Sequence, residues 1–286
     1  MVVMWPPIMG GLNVDDAAVR RRLRMKNLIR ILLVLLSIGM LSACGGGDDP
    51  VVVRQLTIYG TTVGFTDPDT LEATTSDLVL LDPDTGDFLS TIGDIGFIVS
   101  GLAYDKTTGK LFATTSANDP DFPAGLIEIN LVTGAGTPIG AGTGLPAAAT
   151  LTVDSAGRLY TWSEPTDDDL AIIDKVTGVA TVVADSALIT QTFGLDFDDR
   201  GILYLVNFDG EVFTINPITG AATSIGTIGI TAHHGKFHPV TGDYVGIDVA
   251  DPTVAARNLI VAEFSTFTVD TVPTADFLHT IAFVYH

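Results

Sequence analysis

The sequence predicts an all-β fold, a β-propeller built from four-stranded blades, and three observations carry that reading. A turn motif recurs: "DPDTG" at Asp82 returns as "NLVTG" at Asn130, "DKVTG" at Asp174 and "NPITG" at Asn216, with spacings between the Thr-Gly pairs of 48, 44 and 42 residues. Two strand-like motifs run in step with it. One is "GLAYD" at Gly101, "TLTVD" at Thr150, "GLDFD" at Gly194, "GKFHP" at Gly235 and "TIAFV" at Thr280; the other is "GKLFATT" at Gly109, "GRLYTWS" at Gly157, "GILYLVN" at Gly201 and "GDYVGID" at Gly242. Finally, no helical periodicity is visible after residue 50. Four short β-rich runs repeating every 40 to 50 residues or so are the mark of propeller blades.

Each unit opens with a strand A of the "GLAYD" type. A turn, "DKTTGK" in the first full unit, leads to strand B, "KLFATT". A loop of variable length leads to strand C, "LIEIN", and the recurring turn leads to strand D. In that turn Asp82 can accept a hydrogen bond from the backbone ahead of it, Pro83 presets φ, and Gly86 supplies a positive φ. The Asp and Asn residues of these motifs are therefore expected as turn formers. The first run, Gln55–Thr62, reads as a strand B with no A before it, and the C-terminal "HTIAFVYH" as a strand A with no B after it. The two complete one another if the chain ends share a blade, which also removes an exposed sheet edge. Counting A strands gives five blades; six is the alternative, if Thr62–Ser76 hides extra strands.

The N-terminus is a different material. "RRRLRMKNLIR" is basic, "ILLVLLSIGML" is an eleven-residue apolar run, and Leu41-Ser42-Ala43-Cys44 closes it with small residues and the only cysteine. That is the layout of a secretory signal, and the run is too short to remain as a bilayer span. Met25 opens the signal well, so residues 1–24 are read as an over-called start, 25–43 as a lipoprotein signal peptide, 44–50 as an acylated cysteine with a glycine-rich tether, and 51–286 as a single propeller domain. Leu41–Cys44 resembles the lipobox of bacterial lipoproteins, in which the cysteine is acylated and becomes the mature N-terminus. The resemblance implies attachment to the membrane through Cys44 and, with Gly45 rather than Asp after it, the outer membrane. Residues 51–286 are similar to the broad class of bacterial secreted propellers with "DPxTG … GLAxD … GxLYA" repeats, which includes the NHL and YVTN-type repeats. That likeness implies the fold and no particular activity.

The formal net charge is −20, and residues 1–43 carry six Arg or Lys against two Asp, so the part from Cys44 onward carries −24. Such a surface repels nucleic acid and anionic lipid and attracts cations or basic partners. With Cys44 acylated, no thiol remains for a disulfide, and the core alone must hold the fold.

The A–B and C–D connections are short and alike, whereas the B–C connections differ in length and sequence, which is where propeller function is expected. They carry Asp67, Asp69, Glu72, Asp119, Asp121, Glu164, Asp167, Asp168, Asp169, Asp209 and Asp251. Carboxylates converging there could hold Ca²⁺ or could serve only to solvate the face. Aligning the A strands sets Ser100, Ala149, Phe193, His234 and His279 level at the channel mouth, with His233 beside the first histidine and His238 further down its strand; His286 is terminal. Imidazoles on neighbouring inner strands could share a transition metal, act as acid and base, or simply bond the backbone. Trp162 near Glu164 and Phe122 after Asp121 offer a sugar-binding or glycosidase reading, against one in which both rings pack under their loops. No G-x-S-x-G, glycine-rich phosphate loop or Cys-x-x-Cys is present. The expected function is non-catalytic binding of a protein, glycan or small ligand on the acidic B–C face, and the alternative a metal-dependent hydrolase or lactonase at the channel mouth.

Overall fold

The computed structural model describes residues 56–286 apart from 67–72, 84, 165–167, 185, 187, 189, 190, 249–257, 274–277 and 286. The signal segment, Cys44 and the tether lie outside the described residues, as do Asp67, Asp69, Glu72, Asp167, Asp251 and His286.

Every regular element among the described residues is a strand, and five four-stranded antiparallel sheets form a five-bladed β-propeller. Blade 1 joins the two ends of the domain. Its strands are β1 (Leu56–Thr62), β4 (Asp77–Leu81), β5 (Phe88–Asp94) and the last strand, β22 (Leu278–Tyr285), in the order β22-β1-β4-β5. β1 and β22 pair from Leu56↔Tyr285 through Thr61↔Thr280, the closure expected from the two unpartnered runs. Among its described residues, the segment that left six blades open forms a two-stranded ribbon, β2 (Phe65–Thr66) with β3 (Ala73–Thr74).

The other blades are consecutive meanders. Blade 2 is β6 (Val99–Asp105), β7 (Lys110–Thr115), β8 (Leu126–Ile129) and β9 (Gly136–Ile139). Blade 3 is β10 (Thr152–Val153), β11 (Leu159–Ser163), β12 (Asp169–Ile173) and β13 (Ala180–Ala184). Blade 4 is β14 (Thr192–Phe197), β15 (Leu203–Asn207), β16 (Glu211–Ile215) and β17 (Ala222–Thr227). Blade 5 is β18 (Ala232–Phe237), β19 (Tyr244–Asp248), β20 (Asn258–Glu263) and β21 (Thr268–Pro273).

Apolar side chains facing each other across neighbouring sheets make the core. Leu78, Leu102, Leu111 and Ile127 pack between blades 1 and 2, and Phe112, Leu151 and Leu159 between blades 2 and 3. Trp162, Leu195 and Phe213 lie between blades 3 and 4, and Val206, Tyr244 and Ile260 between blades 4 and 5. The outer D strands, by contrast, expose much of their length; five of the seven residues of β5 are exposed.

The recurring turn behaves as its residues dictate. The side-chain oxygens of Asp82, Asn130, Asp174 and Asn216 each accept the amide of the Thr three residues on. Gly86 closes the first of these turns at φ 72°. The fifth blade keeps the turn but not the motif: Phe267 takes the left-handed position at φ 53° in "EFSTF", so the repeat is hidden there from a search for Thr-Gly.

Candidate functional site

The five A strands line the axis, and their pairing with the B strands fixes their relative heights. Tyr104, Val153, Phe197, Phe237 and Phe283 are level, since they face Leu111, Leu159, Leu203, Tyr244 and Ile58, themselves level against the C strands. This corrects the sequence alignment for blade 5, which slides by one residue. His238 does not continue strand A. It occupies the position of Asp105, Asp154 and Asp198, and its Nδ1 accepts the amides of Val240 (3.3 Å) and Thr241 (3.1 Å), as those carboxylates accept amides of their own A–B turns.

At the B–C end of the axis, β-bulges place the histidines. In β22 the pairing steps from Thr280 to Leu278, so His279 is the extra, outturned residue; Ser100 and Phe193 hold the same place in β6 and β14. In β18 the pairing jumps from His233 to Lys236, leaving His234 and Gly235 on the bulge. Gly235 is required there, because a Cβ would sit 2.3 Å from Cζ of Tyr244. The outcome is three imidazoles in one cluster: ring centroids are 4.6 Å apart for His234 and His279, 5.4 Å for His233 and His234, and 5.9 Å for His233 and His279. His234 is buried, while His233 and His279 are half-buried.

The described acidic residues do not converge in this way. Asp119 is buried, and its carboxylate accepts the amides of Ile98 (2.6 Å), Asp121 (3.1 Å) and Phe122 (2.8 Å), so it shapes its loop. Asp169 accepts the amide of Ser186, and the backbone carbonyl of Asp168 accepts the Ser186 hydroxyl. Asp121 and Asp209 are exposed and Glu164 is half-buried. Nor are the two aromatics displayed for a sugar. Trp162 is fully buried between blades, and Phe122 packs edge-on against Phe97 at 6.2 Å.

Below the histidines the axis is closed. Leu102, Leu151, Leu195 and Lys236 leave no room for a water molecule. Lys236 reaches from blade 5 to donate to the carbonyls of Leu151 in blade 3 and Leu195 in blade 4, and its Nζ lies 3.7 Å from Asp196. Asp196 in turn accepts from the Thr152 hydroxyl (2.5 Å) and the Phe237 amide (2.8 Å). Two carbonyls within hydrogen-bond distance and the Asp196 carboxyl at 3.7 Å thus surround the Lys236 nitrogen. Burial still works against both charges, pushing the Asp196 carboxyl up and the Lys236 ammonium down, while their mutual attraction opposes each shift. Sequence reasoning passed over this pair, although a signal was present: the sequence alignment sets the lysine of "GKFHP" against Leu102, Leu151, Leu195 and Ile281 of the other A strands.

On the A–B turn side of this plug the axis opens into a vestibule of about 440 Å³. Tyr104, Phe197, Phe237 and Phe283 supply aromatic walls, with the plug as floor. Arg158 and Arg200 stand at the rim, each paired to an aspartate of its own turn, Asp154 and Asp198, at 2.7 Å. This recess thus lies opposite the loops that the sequence favoured.

No family model matches the chain, and no curated protein matches it. Among solved structures, the chain is similar to a protein of unknown function from Bacteroides thetaiotaomicron VPI-5482, with 12% identity and a TM-score of 0.53 over 80% of this chain and 71% of that one. A protein of unknown function from Bacteroides caccae has 13% identity and a TM-score of 0.46 over 80% of this chain and 98% of that one. TolB from Acinetobacter baumannii has 14% identity and a TM-score of 0.49 over 77% of this chain and 54% of that one. At 12% identity the first of these likenesses is one of fold alone.

Proposed function

We propose that the protein is a cell-envelope lipoprotein, anchored through Cys44 at the outer membrane, whose propeller is a non-catalytic binding module of the secreted "DPxTG … GLAxD" class. The observation that carries the binding reading is the axial vestibule. Its 440 Å³ is the size of a small-ligand site, and it joins aromatic walls to a few charged groups. The face around it supports the same reading, because Val132, Val176 and Ile218 at the tips of three successive C–D turns are more than four-fifths exposed. The acidic B–C rim supports it less, since Asp119 and Asp169 are engaged by backbone amides.

For the vestibule we propose a compact aromatic anion, the ring against Phe197 and Phe283 and the negative group sharing Arg158 with Asp154 or Arg200 with Asp198. A thermal-shift screen of the domain from residue 51 onward, with small aromatic carboxylates and sulfonates, tests this. A ligand at 100 times its Kd adds about 2.7 kcal/mol, a rise in Tm of roughly 5–10 °C for a domain of this size. Hits must disappear in Phe197→Ala or Arg200→Ala; no hits, or hits indifferent to both, would reject the vestibule. The anchor has its own test, in which Cys44→Ser moves the full chain from the membrane fraction to the soluble one and abolishes labelling by fatty acid.

A second reading, a metal-dependent hydrolase or lactonase at the channel mouth, draws on the histidine cluster alone. Zinc-dependent turnover of simple lactones or esters that vanishes in His279→Ala would establish it.

A further inference from the structure

We infer that His233, His234 and His279 form a binding site for a single transition-metal ion of the Zn²⁺ class, seated at the channel mouth between blade 5 and the closing strand of blade 1. The vestibule reading is not needed for this, since the two lie on opposite sides of the closed plug.

Three independent features point to it. The first is proximity. One nitrogen from each imidazole lies within 4.8 Å of the others, and among the described residues no other group of three His, Cys, Asp or Glu side chains converges so closely. Ligands at the 2.0–2.1 Å of a Zn–N bond stand about 3.3 Å apart in a tetrahedral site. Small turns of rings already in edge contact close that gap. The second feature is the backbone that presents them. His279 and His234 sit on β-bulges of neighbouring inner strands, so each is turned out of the pairing plane by a local irregularity. Gly235, held to a bare Cα by the Tyr244 ring, is part of that irregularity.

The third feature is the donor set, which decides the kind of ion. Three imidazoles and, among the described residues, no carboxylate suit Zn²⁺, Ni²⁺ or Cu²⁺; Ca²⁺ and Mg²⁺ take oxygen ligands. The choice between Ca²⁺ and a transition metal, open in the sequence, therefore falls to the transition metal. Three protein nitrogens also leave a tetrahedral ion one position for solvent or an exogenous ligand. His234 is buried below, and the half-buried His233 and His279 flank the mouth, so the remaining position faces outward.

The test uses tag-free protein from residue 51 onward, stripped with chelator and titrated with Zn²⁺ in a calorimeter. Inductively coupled plasma mass spectrometry then counts the metal, and Ca²⁺ serves as comparator. One Zn²⁺ per chain, no competition from excess Ca²⁺, and intense visible bands from a Co²⁺-substituted sample, as four-coordination gives, are expected. His233→Ala and His279→Ala each abolish stoichiometric binding, whereas His286→Ala leaves it intact. Because His234 is buried and its loss could unfold the domain, His279→Gln is the folding control: it keeps the wild-type melting profile without metal and loses the rise in Tm that Zn²⁺ gives. Absence of Zn²⁺ binding by the stripped protein overturns the inference. So does stoichiometric binding that survives the His233→Ala/His279→Ala pair, or displacement of Zn²⁺ by Ca²⁺. None of these outcomes bears on the vestibule, whose ligands are read with Phe197→Ala and Arg200→Ala.

Discussion

At the scale of single residues, charge is used where it is most constrained. Asp105 is fully buried at the foot of blade 2 and receives Lys175 from the C–D turn of blade 3 at 2.7 Å. Burial raises its pKa, but the Lys175 ammonium and the hydrogen bonds from Thr107 and Thr108 outweigh that and carry it down to about 2. A carboxyl held below its unfolded value stabilises the fold fully above that value, near pH 4, and loses the contribution as pH falls toward about 2. The gap corresponds to about 2 kcal/mol. Asp105→Asn should therefore cost about that much in urea unfolding near neutrality and progressively less in acid; a penalty independent of pH would deny the ion pair its role. Lys236 and Asp196 offer the opposite case, a pair that closes the axis against the cost of desolvating both. Lys236→Met strands a carboxylate in the plug and should cost about 3–5 kcal/mol. Adding Asp196→Ala should return part of that loss, because the stranded charge goes and three other blades have Ala103, Thr152 and Ala282 at this level. A double variant less stable than the single would show that the pair holds the blades by something other than mutual neutralisation.

At the scale of strands and turns, the closure of the ring rests on β22. Without it β1 would present an unpaired edge toward the axis, with Tyr59 and Leu78 uncovered from Ala282 and Val284. Truncation before Leu278 should therefore give a chain that elutes as aggregate and unfolds without a sharp transition, and a synthetic peptide of residues 278–286 should restore a monomeric peak by strand addition. A truncated domain that melts cooperatively by itself would mean that the closing strand is dispensable. This seam was legible in the sequence, because a B-type run at one end and an A-type run at the other have complementary deficits. The blade count was less so, and the cause is visible: Thr-Gly is replaced by Thr266-Phe267, and the described residues of the Thr62–Ser76 insertion include a ribbon of two short strands. The histidine heights were legible only to within one residue. Spacing within a strand cannot report a bulge, and β18 carries its bulge one step further along the strand, toward the A–B turn, than β22 does. His238 was misplaced for the same reason, since an imidazole standing in for aspartate as a turn cap leaves no trace in spacing.

At the scale of the whole molecule, the plug divides the axis into two compartments with unlike chemistry. One end holds three nitrogen donors on one buried and two half-buried rings, and the other an aromatic cup with guanidinium groups at its rim. Acidic loops drew the sequence reading toward the first end, because variable length marks loops and says nothing of depth. Recesses arise where side chains of five strands fail to meet, a property of the assembled ring that no single repeat contains. The division has a thermodynamic consequence. Two ligands influence one another only through a state whose population both shift, and their coupling is reciprocal. Here Lys236 is fixed by two carbonyls and a carboxylate, and leucines fill the level above it, so the contents of one compartment have little means of moving the other. Zn²⁺ at the mouth and a vestibule ligand should therefore raise stability by independent amounts. The Kd of either, measured in saturating presence of the other, should agree with its value alone within about twofold. Lys236→Ala should break that independence by removing the side chain that seals the floor, so that the vestibule ligand changes the Zn²⁺ affinity in the variant and not in the parent. Strong coupling in the unaltered protein would instead mean that the two ends are one site, with the plug as its moving part.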